Sequence, residues 1–442
     1  MIWARANRPD PPSGRTGFDV SPERPPLVTF ALLLIVAFLA SAIAHFFKLF
    51  VHQVIRFYSD RTDPTAASAK LDSAILFVLA TSSVLVAVAL GRVAQRRWHG
   101  RSGIEAVAAS ARGDSRTISL RATVFRLLGT FVVSAGLVSI GRESAIVESG
   151  GVTGAVVGRS SGGRGDALAS AGIAAAFASA YHAPVAAMLY AEEHLRIRQS
   201  PRATMFVVAG ALVGHMFTVW LFDGDAVFPG VQGPMWRVAV LGLVVLVPTV
   251  VVTKAFLYLR VRVTADSLMR LTHWPRPIVV AMFAVAAGVS VAAFPLAAGN
   301  GMEALQRGPI AATSTLAVAL VVGKLVGTTA ALGAGAPGGV LSPTMGVAGG
   351  TALLVLLAAE SLGTDIAHPW DAMVAAMAIG VAVGMRSPLV AILLIPELLG
   401  DYLLVLPVAA VVGVAWLLDR TLDRFMLGIG AAVPSGIYDE DA

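Results

Sequence analysis

Cysteine is absent from this 442-residue chain, and charged residues make up only 14% of it. The first absence excludes disulfides, thiolate metal sites and cysteine nucleophiles, and leaves the redox compartment undetermined. The second is more telling, because soluble domains carry about a quarter charged residues. With 56% hydrophobic residues and a mean hydropathy of +0.77, the apolar surface exceeds what a soluble core can hide. The chain therefore reads as a membrane protein. A secretory signal is also lacking: residues 1–26 are polar and rich in Pro and Arg, with no short apolar stretch and cleavage site. They read as a cytoplasmic tail, 431–442 as a second tail, and 27–430 as one transmembrane domain. His45, His52, His215 and His273 form no metal-like grouping, and neither metal nor cofactor is expected. No basic face for nucleic acid is evident. The arginines gather instead at the edges of apolar runs, as in Arg92, Arg96, Arg97 and Arg101, or Arg260 and Arg262, which suits the positive-inside rule of membrane proteins.

A bilayer span needs about 20 mostly apolar residues. Candidate runs lie near 27–51, 71–95, 121–140, 167–193, 203–222, 235–260, 277–297, 311–330, 344–361, 370–395 and 402–419. Clusters of Gly, Pro and Ser interrupt the chain at 141–164, 298–309 and 333–346. Irregular backbone survives in lipid only when buried in protein or lining a wet cavity, and helices broken in this way mark transporters with sites near the midplane. The two richest breaks are Gly141-Arg142-Glu143-Ser144-Ala145 and the run from Gly335 to Pro343. Each precedes a helix-like run, and they fall in different halves of the chain. The pair suggests a duplicated architecture, with inversion of the halves left open, in an all-α membrane fold.

A helix N-terminus exposes free N–H groups and partial positive charge, and glycine lets an ion approach the backbone closely. Helix ends meeting in a membrane can therefore bind an anion without a full cationic side chain, and bind it weakly enough to release it. Glu143 lies inside the first break. An ionisable group at membrane depth is a functional candidate by default. A carboxylate there would satisfy the same amides as an anion, so Glu143 would block the site when ionised and leave it when protonated. The competing reading is a surface-loop cap paired with Arg142.

These residues resemble the CLC family of chloride channels and proton-coupled chloride transporters, over about residues 85–420. Arg101-Ser102-Gly103-Ile104-Glu105 is similar to that family's GSGIP loop, Gly141–Ala145 to its GREGP loop, and Gly339-Val340-Leu341-Ser342-Pro343 to its GIFAP loop. Ala174–Phe177 through His182-Ala183-Pro184 resembles its AAFNAP run, and Pro388 with Pro396-Glu397 and Asp401-Tyr402 its RAPL…LEMTDNY stretch. The resemblance implies a CLC-type fold of tilted and broken helices in a homodimer with one pore per subunit. It implies that Ser102, Gly103, Ile104, Val340 and Leu341 hold the anion, with Gly141, Arg142, Gly339 and Pro343 supporting the loops and Glu143 gating. Chloride and protons are then the expected partners, with lipid around them.

Several positions depart from the family pattern. Arg101 and Glu105 replace glycine and proline in the first loop, Ser144 and Ala145 replace Gly-Pro after the gate, and His182 replaces Asn. The pore tyrosine should fall near Leu427 and Gly428, where none stands; Tyr438 is about ten residues away. The inner proton-transfer position falls on His194 when counted without gaps from Pro184, and on Glu193 with a one-residue gap. His194 is preferred, because a gap would rotate a helix by about 100°. Lys324 either raises the anion potential or, the favoured reading, snorkels or pairs with a carboxylate. Glu148, Glu397 and Asp401 read as structural, and Tyr402 as an interfacial anchor. Within the carrier class, chloride/proton exchange competes with a passive chloride channel and a fluoride/proton antiporter. A different class is an intramembrane serine protease, since Gly100-Arg101-Ser102-Gly103 has the spelling of a nucleophile loop and His182, His194 or His215 could act as base. That reading leaves both glycine-rich breaks unexplained.

Overall fold

The computed structural model describes residues 26–98, 103–111, 118–161, 166–195, 197, 201–222, 226–308, 311–364 and 368–428. Both tails and Ser102, with Arg101, lie outside the described residues. The first half comprises α1 (Pro26–Ser59), α2 (Pro64–Lys70), α3 (Ser73–Arg97), α4 (Ile104–Ala111), α5 (Leu120–Ala135), α6 (Glu143–Ser160), α7 (Asp166–Tyr181), α8 (Pro184–Leu189) and α9 (Pro201–Phe222). The second comprises α10 (Trp236–Arg262), α11 (Ala265–Thr272), α12 (Arg276–Ala293), α13 (Met302–Leu305), α14 (Ser314–Val318), α15 (Lys324–Gly333), α16 (Leu341–Ser361), α17 (Pro369–Met385), α18 (Pro388–Leu399) and α19 (Val405–Gly428). Eight stretches among the described residues are long and apolar enough to cross a bilayer. Phe30, Phe50, Phe57, Trp220 and Leu406 point outward from these helices, a surface that lipid covers and water would not tolerate.

In lipid the hydrophobic effect does not hold one helix against another, so close packing must. The centre of the molecule is built from small residues for that reason. Every residue of α7 is buried, and the helix is packed against both α6 and α9. At the α6–α7 crossing a side chain on Gly150 would collide with the Gly172 carbonyl, and one on Gly172 with the Gly150 carbonyl. The two backbones touch.

Two apolar runs that read as single spans, 167–193 and 370–395, are each a pair of helices. The chain turns at His182 (φ 56°) and at Arg386 (φ 53°), and a new helix starts two residues later with Pro184 or Pro388 in its first turn. A residue before proline avoids helical backbone, whereas proline suits the first helical position. Each left-handed residue costs on the order of 1–2 kcal/mol. A pair of reciprocal caps offsets this. The Glu193 carboxylate accepts the N–H groups of Leu389 (3.3 Å) and Val390 (2.9 Å), while the Glu397 carboxylate accepts those of Val185 (2.9 Å) and Ala186 (2.8 Å). Each glutamate stands nine residues past its own helix-starting proline, 184 to 193 and 388 to 397, and caps the other helix. Such an exchange is what two related halves running in opposite directions produce.

Glu397 also accepts the Tyr402 hydroxyl at 2.6 Å, and Asp401 caps the short turn after it through the Leu403 N–H at 3.0 Å. Replacing Glu397 with Ala removes the α8 cap and is expected to cost about 1–3 kcal/mol. Tyr402→Phe, which keeps the cap, is expected to cost about 1 kcal/mol or less. Thermal midpoints in detergent check this; an unchanged midpoint for Glu397→Ala would contradict the capping account.

Candidate functional site

The first and third breaks meet at one point. The Gly141 N–H donates to the Gly339 carbonyl at 2.8 Å, and the Gly339 N–H donates to the Gly141 carbonyl at 2.7 Å. This antiparallel bridge satisfies four backbone groups where no water is at hand. It also fixes where the following helices begin. α6 starts at Glu143 and α16 at Leu341, with Val340 as its cap and Pro343 in its first turn. Two helix N-termini thus converge beside the bridge.

The Glu143 side chain is buried, 6% exposed, and turns into this junction. Its Oε1 accepts the Ser342 hydroxyl, and the carboxyl is also hydrogen-bonded by the Ser342 N–H and the Tyr181 hydroxyl. Tyr181 Oη lies 3.3 Å from Ser342 Oγ. The second oxygen, Oε2, lies in a notch left by the bridge glycines. A methyl carbon on Gly339 would sit 2.8 Å from it, and one on Gly141 would overlap it and approach the Gly339 carbonyl oxygen to 2.7 Å. These glycines are therefore required by space: the carboxyl occupies the room that side chains would take. No hydrogen-bond partner meets Oε2 among the described residues.

Arg142 does not pair with Glu143. Its Nη2 donates to Glu303 Oε1 at 2.7 Å, and His52 Nε2 lies 3.8 Å from the same oxygen. Glu303 belongs to α13, inside the 298–309 break, so all three interruptions are joined here. The surface-loop reading of Glu143 is thereby excluded. Lys324 also differs from expectation, for it neither snorkels nor meets a carboxylate. The side chain is fully buried, and Nζ donates to the carbonyls of Ala297 and Gly299, both at 3.1 Å, with Ser139 Oγ at 3.5 Å. An ammonium can be satisfied by backbone carbonyls as well as by a carboxylate, and here it ties down the second break.

Other sequence candidates fall in three places. Gly103 and Ile104 open α4, where Gly103 faces the Arg126 guanidinium. Arg126 in turn holds Glu148 at 3.0 Å, with Thr123 at 2.8 Å, which gives Glu148 a structural part. Glu193 is the α18 cap. His194 Nδ1 lies 3.1 Å from both the Met385 carbonyl and Ser387 Oγ, at the Arg386 turn. α19 continues through Leu427 and Gly428, and Tyr438 lies outside the described residues. Sequence reasoning missed Tyr181 altogether. It sits at the end of an Ala-rich run, and the available signal was that a buried phenol needs a hydrogen-bond partner.

Converging helix N-termini, a carboxyl held among their donors and broken helices in an apolar bundle define a membrane protein of the broken-helix class. Residues 82–420 match the voltage gated chloride channel family (Voltage_CLC), and the chain belongs to that family. It is a multi-pass membrane protein and not an enzyme, which sets aside the protease reading of Ser102. The H(+)/Cl(-) exchange transporter ClcA of Vibrio parahaemolyticus is 26% identical over 304 residues, covering 63% of this chain and 62% of the relative. ClcA of Klebsiella pneumoniae is 28% identical over 303 residues, covering 63% and 61%. The chain thus spans less than two thirds of the length of these relatives. The fold matches that of a slow cyanobacterial Cl-/H+ antiporter with a TM-score of 0.72 at 21% identity, covering 89% of this chain and 94% of that one. It matches a CLC-type fluoride/proton antiporter with a TM-score of 0.69 at 18% identity, covering 90% and 98%.

The notch geometry yields a paired test. Gly339→Ala comes under 3.0 Å only to the end of the Glu143 side chain, with the Ser144 N–H next at 3.3 Å, and is expected to push the carboxyl out while the protein still folds. Gly141→Ala also meets the Gly339 backbone and is expected to break the bridge, lowering stability by about 2 kcal/mol or more. Thermal midpoints of the two variants in detergent check the difference; equal midpoints would contradict the assignment.

Proposed function

We propose that this chain carries small anions, chloride first, across a bacterial cell membrane through a pore of its own, with Glu143 as the gate and with some coupling to protons. The carrying observation is the position of the Glu143 carboxyl. It takes up the Ser342 N–H, the Ser342 hydroxyl and the Tyr181 hydroxyl at the N-terminus of α16, the donors a small anion would use. A halide is spherical and satisfied by a few converging donors, and the partial charge of the helix end favours it without holding it fast. Carboxylate and anion therefore compete for one place. A proton on Glu143 removes the charge that the donors hold and frees the side chain to leave. That exchange links anion entry to proton uptake.

In this reading Ser102, with Gly103 and Ile104, serves the same anion as the backbone N–H groups of Val340 and Leu341. His194 is the inner proton-transfer candidate, since Glu193 is committed to the α18 N-terminus. A homodimer with one pore per subunit completes the reading.

Reversal potentials in liposomes with separately set chloride and pH gradients test it. For the parent protein the potential is expected to shift with both gradients. For Glu143→Gln, whose side chain stays neutral, the shift with pH is expected to vanish while anion flux persists. Unchanged flux and unchanged pH response in that variant would contradict the gating role. Glu193→Gln is expected to keep the pH response and His194→Ala to reduce it; the reverse order would assign the inner role to Glu193.

A further inference from the structure

The sequence position where the family's pore tyrosine is expected holds none, yet a phenol stands at the site. Tyr181 reaches it from a different element, the last residue of α7. It is 3% exposed, with its hydroxyl 3.3 Å from Ser342 Oγ and on the Glu143 carboxyl. We propose that Tyr181 is an anion ligand of this transporter, supplying a side-chain hydroxyl from α7 to the place the Glu143 carboxyl now fills. The inference rests on the anion-site reading above and adds to it the residue that completes the donor set.

Three features support it. First, the ring is held in place. Phe177 lies against it with centroids 4.8 Å apart, and Tyr190 stacks on Phe177 at 4.3 Å and on His194 at 5.1 Å. A donor fixed by packing loses little entropy when an anion arrives. Second, a phenol O–H is a donor that carries no full charge, so it adds nothing that would trap the anion. Third, the left-handed turn at His182 ends α7 immediately after Tyr181, which sets the ring at the helix terminus beside α16. The same stack shows what Tyr181 does not do. Phe177 has no group that can carry a proton and separates Tyr181 from Tyr190, so the column walls the site and is not itself a proton wire.

The test is bromide binding to detergent-solubilised protein by isothermal titration, in a Glu143→Gln background so that the native carboxylate does not compete. Tyr181→Phe keeps the ring and deletes the hydroxyl, and is expected to weaken binding about tenfold. If that variant elutes aggregated, 3-fluorotyrosine at position 181 preserves the shape and makes the O–H a stronger donor, and is expected to tighten binding. Unchanged affinity in whichever variant folds would overturn the role of Tyr181 alone. Absence of any bromide binding by the Glu143→Gln background protein would overturn the anion site itself, and this inference with it.

Discussion

The Gly141–Gly339 bridge is the contact on which the rest of the centre depends. Two chain segments some two hundred residues apart must leave helical geometry inside an apolar bundle, where every unpaired N–H and C=O is expensive. Pairing the two breaks with each other satisfies those groups and sets the N-termini of α6 and α16 side by side. The pairing leaves no room for a side chain at Gly141, and the space beside both glycines is what the Glu143 carboxyl fills. Backbone satisfaction, helix placement and the position of the Glu143 carboxyl follow from one short piece of antiparallel pairing.

Around the bridge, buried charge is held either by an opposite charge or by backbone carbonyls. Arg142 is turned to Glu303, which keeps a cation near the junction while leaving Glu143 free of a competing salt bridge. Lys324 is held by carbonyls of the second break. A buried pair of this kind is costly to break, by about 3–5 kcal/mol when one partner is removed, so the geometry around Glu143 is stiff. Glu143 itself is bound by hydroxyls and a backbone amide, which are easier to exchange. The proposed gating uses this division between fixed charges and exchangeable neutral donors.

Much of this was legible in the sequence. Low charge and high hydropathy indicated the membrane, the glycine-rich breaks marked where the helix ends meet, and Glu143 stood out as an acid inside one of them. The spans 167–193 and 370–395 misled because apolar composition continues across a helix break. Pro184 and Pro388 marked the breaks, and the glutamates nine residues beyond each marked the caps, but only spatial pairing showed that each cap serves the other helix. Lys324 was misread because carbonyl partners leave no trace in sequence. Tyr181 was hidden for a related reason: it looks like one more apolar residue in a run of alanines, and its value comes from where the α7 terminus lies relative to Ser342.

The central claim is that Glu143 and the transported anion share one set of donors. Anomalous diffraction from crystals of the Glu143→Gln protein grown in bromide tests it most directly. The account predicts a bromide peak within hydrogen-bonding reach of the Ser342 N–H, the Ser342 hydroxyl and the Tyr181 hydroxyl. Bromide bound elsewhere in the bundle, with that position still filled by the side chain at 143, would contradict it.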